Sequence, residues 1–128
     1  MTLVDTDVII WYMRGNEKAS VVLHGLENIA ISAVTHMEVV QGMRDKRELA
    51  TLTVTLVKWK AAVLPVNEAI SNMAVQLVER HFLSHSLDMA DALIGSTALF
   101  YHVPLLTANI RHYAVIDGLV LETFAPEV

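Results

Sequence analysis

Thr2-Leu3-Val4-Asp5-Thr6-Asp7-Val8-Ile9-Ile10 is an apolar run, three polar residues, and a second apolar run. Residues 2–5 read as a short strand that ends on an acid, and residues 8–13 as the start of a helix capped by Thr6 or Asp7. A strand passing almost directly into a helix is the opening of a βαβ unit. The rest of the chain repeats the pattern. Arg14-Gly15-Asn16 breaks the helix, which resumes over 17–26 before a second strand at 29–31. Ser32 caps a helix running to about Met43, and another spans Asp45 to about Trp59, although its Thr and Val content dilutes that signal. A third strand at 62–64 is followed by a helix opened by Asn67-Glu68 and reaching about Phe82. The last helix starts at Asp88 or Met89 and runs to about Tyr101, and strands follow at 104–107 and 119–123.

Alternating strands and helices imply an α/β fold with a central parallel sheet, here of about five strands flanked by helices. The strands are continuous apolar runs, as expected where helices cover both faces of a sheet. The 128 residues suit a single domain, 1–128, and 54% of them are apolar, which is ample for a core. Only 18% are charged, which argues against disorder. There is no cysteine, so disulfides and thiolate metal sites are excluded. The amino end lacks the basic and long apolar segments of a signal peptide. No stretch approaches the ~20 apolar residues of a membrane span. The expectation is a soluble, cytoplasmic protein with no membrane partner. A formal net charge of −5 weighs against passive nucleic-acid binding, but carboxylates that hold cations reverse the local field.

In open parallel sheets, ligands bind beyond the carboxyl ends of the strands. Asp5 ends the first strand there, Glu38 lies on the helix after the second, and Thr107 and Asn109 close the fourth. Asp91 lies near the start of the helix that feeds the fourth strand. Carboxylates converging at one edge repel one another and lose hydration, unless a cation is present. A donor set made only of oxygen suits Mg²⁺ or Mn²⁺ rather than zinc. Asp5 alone reads equally as a helix cap, Glu38 alone as a solvated charge, and Asn109 as a turn residue. Asp88 and Asp91, three apart, share a helix face, and complementarity to the helix dipole competes with a site there.

Four blocks in this order resemble the PIN-domain family, and within it the VapC-type toxins of toxin–antitoxin pairs, over residues 3 to about 121. They are Val4-Asp5-Thr6-Asp7-Val8-Ile9-Ile10, Ile31-Ser32 through Glu38 with Gly42 beyond, Asp91-Ala92-Leu93-Ile94, and Pro104-Leu105-Leu106-Thr107-Ala108-Asn109. The resemblance implies a PIN-like fold and metal-dependent cleavage of single-stranded RNA, as the toxin of such a pair. It makes Asp5, Glu38 and Asp91 the expected catalytic and metal-site acids, with Mg²⁺ or Mn²⁺ as cofactor. Asn109 and His112 fall where relatives often carry a further acid, so a fourth carboxylate is missing or comes from Asp88 or Asp117. Asp7 matches a variable polar position and is expected to cap the helix. Thr6 and Thr107 offer hydroxyls to a phosphate or a water. Arg44, Lys46, Arg47 and Arg111 are candidates for phosphate contacts, against the reading of each as a solvated charge. The resemblance further implies an RNA substrate, a small antitoxin partner and a homodimer. Trp11, Tyr12, Met13 and the segment 51–59 are candidate contact surface, with Trp11 equally suited to the core.

The opening Asp5-Thr6-Asp7-Val8 also matches DxD-type phosphatases, in which the first acid is a nucleophile. Those enzymes need a late Lys beside the site, and no Lys lies beyond Lys60. A receiver domain needs an acid at the end of the third strand, where this chain has Leu64-Pro65-Val66. A non-catalytic PIN-like module that binds RNA or a protein is the other alternative, and the presence of Asp5, Glu38 and Asp91 argues against it.

Overall fold

In the computed structural model, which describes residues 1–84 and 87–127, the elements follow the expected order. They are β1 (Thr2–Val4), α1 (Thr6–Met13), α2 (Glu17–His24), β2 (Ile29–Ser32), α3 (Ala33–Gln41), α4 (Lys46–Trp59), β3 (Ala62–Leu64), α5 (Glu68–His81), α6 (Met89–Tyr101), β4 (Leu105–Thr107), α7 (Ile110–Tyr113) and β5 (Leu121–Thr123). The five strands form one parallel sheet in the order β3-β2-β1-β4-β5. Successive strands step outwards from β1 on one side and from β4 on the other. The sheet therefore has its topological switch point between β1 and β4, where Leu3 pairs with Leu105 and Val4 with Leu106.

Side chains of a strand alternate between its two faces, and both faces here are covered. Leu3, Ala30 and Leu105 pack with Ala74 and Leu77 of α5 and with Ala92, Ile94 and Ala98 of α6. Val4, Ile29, Ile31 and Leu106 pack on the other face with Val8 and Ile9 of α1, Leu23 of α2, and Leu52 and Leu56 of α4. This is why β1, β2 and β4 read as largely apolar runs, while the edge strand β5, Leu121-Glu122-Thr123, is mostly exposed.

Most caps were legible. Ser32, Asp45, Asn67 and Asp88 each accept a hydrogen bond from a backbone N–H in the first turn of their helix. Of the caps the sequence offers for α1, the fold uses Asp5 rather than Thr6 or Asp7, and the Asp5 carboxylate accepts from the Thr6 N–H at 2.8 Å. Asp5 is the single residue between strand and helix, so Thr6 already begins the helix and Asp7 lies inside its first turn. The short α7 carries no periodicity of its own and was not foreseen. The last strand begins at Leu121 rather than 119, beyond Gly118, whose φ of +81° turns the chain.

Candidate active site

Asp5 follows β1 at the switch point and is 5% exposed. Its Oδ1 accepts from the Thr6 N–H at 2.8 Å and from the Tyr113 hydroxyl at 3.1 Å, and its Oδ2 accepts from the Thr107 hydroxyl at 2.7 Å. Thr107 ends β4, so that last bond spans the two strands at which the sheet changes direction. Burial raises the Asp5 pKa, opposed by the bonds from Thr107, Thr6 and Tyr113, while the Glu38 charge adds to the rise.

Glu38, half-buried on α3, accepts from the Thr6 hydroxyl at 2.7 Å, and that hydroxyl oxygen lies within hydrogen-bond distance of the Thr35 hydroxyl at 3.0 Å. Asp7 Oδ2 accepts from the Ala108 N–H at 3.0 Å and from Asn109 Nδ2 at 2.9 Å, so it holds the β4–α7 connection. Its other oxygen is buried without a hydrogen-bond partner. Burial, then the neighbouring Asp5, pushes the Asp7 pKa up to about 6. Asp91 sits in the first turn of α6, with its N–H capped by Asp88. Its Oδ2 is buried with no hydrogen bond, and His112 Nδ1 stands 3.5 Å away. Burial and the Asp88 charge push the Asp91 pKa up to about 6, with His112 pulling the other way and Asp5 adding to the rise.

The fold thus brings Asp5, Asp7, Glu38 and Asp91 within electrostatic reach of one another at the carboxyl edge of the sheet, joined by Thr6, Thr107, Asn109 and His112. Among the described residues no three carboxylate or imidazole groups already close on a common point at ligand distance. The chemistry of the group nevertheless fits a hard divalent cation. Its carboxylates supply oxygen donors, Asp7 Oδ1 and Asp91 Oδ2 are buried without a hydrogen bond, and burial raises the pKa values of Asp5, Asp7 and Asp91.

Other expected residues stand differently. Asp88 is engaged as the α6 cap, and Asp117 is exposed on the loop before β5. Arg44 is fully exposed and pairs with Glu48 at 2.8 Å, while Lys46, Arg47 and Arg111 are also exposed. Trp11, Tyr12 and Met13 are half-buried against the α1–α2–α4 core, and Tyr12 meets Trp59 edge-on at 4.9 Å between centroids. Along 51–59, Leu52, Thr55 and Leu56 are buried while Val54 and Val57 face outwards. The sequence reading missed Tyr113 and misassigned Asp7. A buried tyrosine looks like any core aromatic, and its one signal is that its hydroxyl needs a partner.

An acidic edge at the switch point of a 3-2-1-4-5 parallel sheet places the site where open α/β domains bind their ligands. The PIN domain model matches residues 2–118, and the chain belongs to the PIN-domain family. It is 34% identical over 126 residues to Ribonuclease VapC19 of Mycobacterium tuberculosis, covering 93% of this chain and 97% of that one. It is 32% identical over 125 residues to Ribonuclease VapC10 of the same organism, covering 93% and 90%. A toxin–antitoxin complex from Klebsiella pneumoniae contains a chain 26% identical, with a TM-score of 0.79 and coverage of 99% and 98%. By these relationships the protein is a PIN-domain ribonuclease of the VapC group.

Proposed function

We propose that this protein is the toxin of a toxin–antitoxin pair, a single PIN-like domain that cuts single-stranded RNA with the help of Mg²⁺ or Mn²⁺. The observation that carries the reading is the group of largely buried acids at the sheet edge, where Asp7 and Asp91 each keep a buried carboxylate oxygen that accepts no hydrogen bond. Asp5 and Asp91 would hold the cation, with Glu38 as a third donor. A bound divalent ion supplies Lewis acidity towards water and positive charge against the charge that develops on the phosphate. The chain's own part is to hold its carboxylates still. Thr107 and the Thr6 N–H orient Asp5. Thr6 presents Glu38, which takes the proton from the attacking water. Asp7 fixes Ala108 and Asn109 beside them. Lys46, Arg47 and Arg111 are exposed, as is Arg44 in its pair with Glu48, and these four are the proposed contacts to RNA phosphates.

A small antitoxin protein is the proposed regulator. Support comes from the similar Klebsiella pneumoniae chain, which was solved in a toxin–antitoxin complex, and from a groove of about 710 Å³ at the far end of α1, lined by Ile10, Met13, Val39, Met43 and Arg44 among others. A homodimer is proposed as well, supported by exposed Val75 and Met89 beside the half-buried Leu93 and Val78 on α5 and α6. No helix among the described residues is long and apolar enough to cross a membrane.

The test is cleavage of a pool of single-stranded RNAs by folded, antitoxin-free protein with Mg²⁺ or Mn²⁺, with EDTA and Asp5→Asn as controls. Cutting that disappears in both controls is the expected result. Binding of the pool without cutting would replace the nuclease with a non-catalytic RNA-binding module.

A further inference from the structure

Tyr113 is 1% exposed at the end of α7, yet its hydroxyl reaches across to Asp5 Oδ1 at 3.1 Å. Gly95 on α6 permits the approach. A Cβ there would stand 2.6 Å from Ile116 Cδ1 and 3.6 Å from Tyr113 Cδ1, so only glycine lets the α7 segment settle this close without displacing Ile116. Packing alone would be served by phenylalanine. The hydroxyl is a polar atom carried into the core, and such an atom destabilises the fold unless it is paired. Burial, and then the charges of Asp5, Asp91 and Asp7, keep it protonated, and a protonated phenol facing a carboxylate oxygen is the donor.

The acceptor count on Asp5 gives this donor a purpose. A carboxylate offers about four lone-pair positions, two on each oxygen. Oδ1 receives Thr6 N–H and Tyr113 O–H, and Oδ2 receives Thr107 O–H. One position remains, and it is on Oδ2. Thr6 alone, as the adjacent residue, leaves the carboxylate free to turn about its own axis. Donors on both oxygens, from β4 and α7, fix its plane.

We propose that Tyr113 is a positioning residue for the metal site: with Thr107 it clamps the Asp5 carboxylate so that one Oδ2 lone pair is held ready for the cation. This rests on the cation-dependent reading above. Outer partners of this kind orient metal-ligating carboxylates and strengthen binding through geometry, not through contact with the ion.

The test compares wild type, Tyr113→Phe, Asp5→Asn and Ile116→Val, with Mn²⁺ uptake followed by loss of the free-ion EPR signal. Phenylalanine keeps the ring, so the fold is expected to hold, and circular dichroism and melting of the cation-free proteins check it. Tyr113→Phe is expected to weaken Mn²⁺ binding about tenfold. Ile116→Val loosens the same packing, and is expected to lower the melting temperature while leaving Mn²⁺ affinity alone. If Tyr113→Phe binds Mn²⁺ as wild type does while Asp5→Asn does not, the positioning role is overturned and the metal reading stands. If Ile116→Val weakens binding as much as Tyr113→Phe, packing accounts for the effect and the role is likewise overturned. If wild type takes up no Mn²⁺, or Asp5→Asn binds it unchanged, the metal reading falls and the positioning role with it.

Discussion

The Thr107 hydroxyl donates to Asp5 Oδ2 at 2.7 Å across the two central strands, and the same hydroxyl oxygen accepts from the Asn109 N–H at 2.9 Å. One buried oxygen thus ties the end of β4 to the end of β1 and also starts the turn into α7. Thr107→Val keeps the shape and removes both bonds, one of them to a buried carboxylate. It is expected to destabilise the protein by about 1.5–3 kcal/mol. Thr107→Ser is expected to stay near wild type. Urea unfolding midpoints at neutral pH measure both, and equal midpoints for Val and wild type would contradict the coupling.

The acid group predicts an unusual pH dependence for the cation-free protein. Asp7 and Asp91 hold pKa values of about 6 in the fold against 3.8 for the unperturbed group, chiefly through burial. Between those values the folded chain keeps protons that the unfolded chain has released, so folding is favoured at the acid end. That stability is fully present below about pH 4 and is lost as pH rises through about 6. Allowing for solvent that still reaches both groups, the loss is on the order of 1–2 kcal/mol for each. Melting in EDTA is expected to fall from pH 5 to pH 7.5, and Mn²⁺ is expected to restore it more at the higher pH, where the acids are ionised. A melting temperature that is flat over this range, with and without Mn²⁺, would mean the acids are less desolvated than the fold places them.

How far the sequence reading reached is explained by the kind of signal each feature leaves. Apolar strands covered on both faces and side-chain caps such as Ser32 and Asn67 write themselves into local sequence, so the order of elements and the parallel sheet were legible. Asp5, Glu38 and Asp91 could be placed at one edge because the position of the strand ends follows from the topology. The partners of those acids are invisible locally. Tyr113 and Asp5 are 108 residues apart, and Asp7 and Asn109 are 102 apart. Four-residue α7 is shorter than the window in which helical periodicity shows. Asp7 reads as a cap because the local sequence does not show where the helix starts, and here one residue, Asp5, both ends the strand and caps the helix.

Asp7 is a loop anchor carrying a charge that the fold does not need, which gives it a distinctive mutational signature. Asp7→Asn retains an oxygen for the Ala108 and Asn109 donors, and its new N–H₂ occupies the place of the unpartnered Oδ1. It also removes repulsion with Asp5 and Asp91. The variant is expected to melt higher than wild type at pH 7.5 by about 1 kcal/mol in stability. It is expected to retain most of its RNA cleavage. Asp7→Ala loses both anchoring bonds and is expected to lose cleavage severalfold as Asn109 drifts. Thermal melts and initial cleavage rates on the same preparations decide this. Loss of cleavage in Asp7→Asn equal to that in Asp5→Asn would instead make Asp7 a direct ligand of the cation.

Thr6 links α1 to α3 through its hydroxyl bond to Glu38 at 2.7 Å, with the buried Thr35 hydroxyl 3.0 Å away on the same helix as Glu38. If Glu38 is the proton acceptor, its orientation matters more to the chemical step than to RNA binding. Thr6→Val is therefore expected to lower kcat about tenfold or more with little change in KM, and Thr6→Ser to recover most of the loss. Glu38→Gln sets the floor, because it removes the acceptor itself. The measurement is steady-state cleavage of one defined single-stranded RNA at saturating Mn²⁺. A Thr6→Val effect confined to KM would assign this hydroxyl to RNA binding, as the contact to a phosphate that the sequence first allowed.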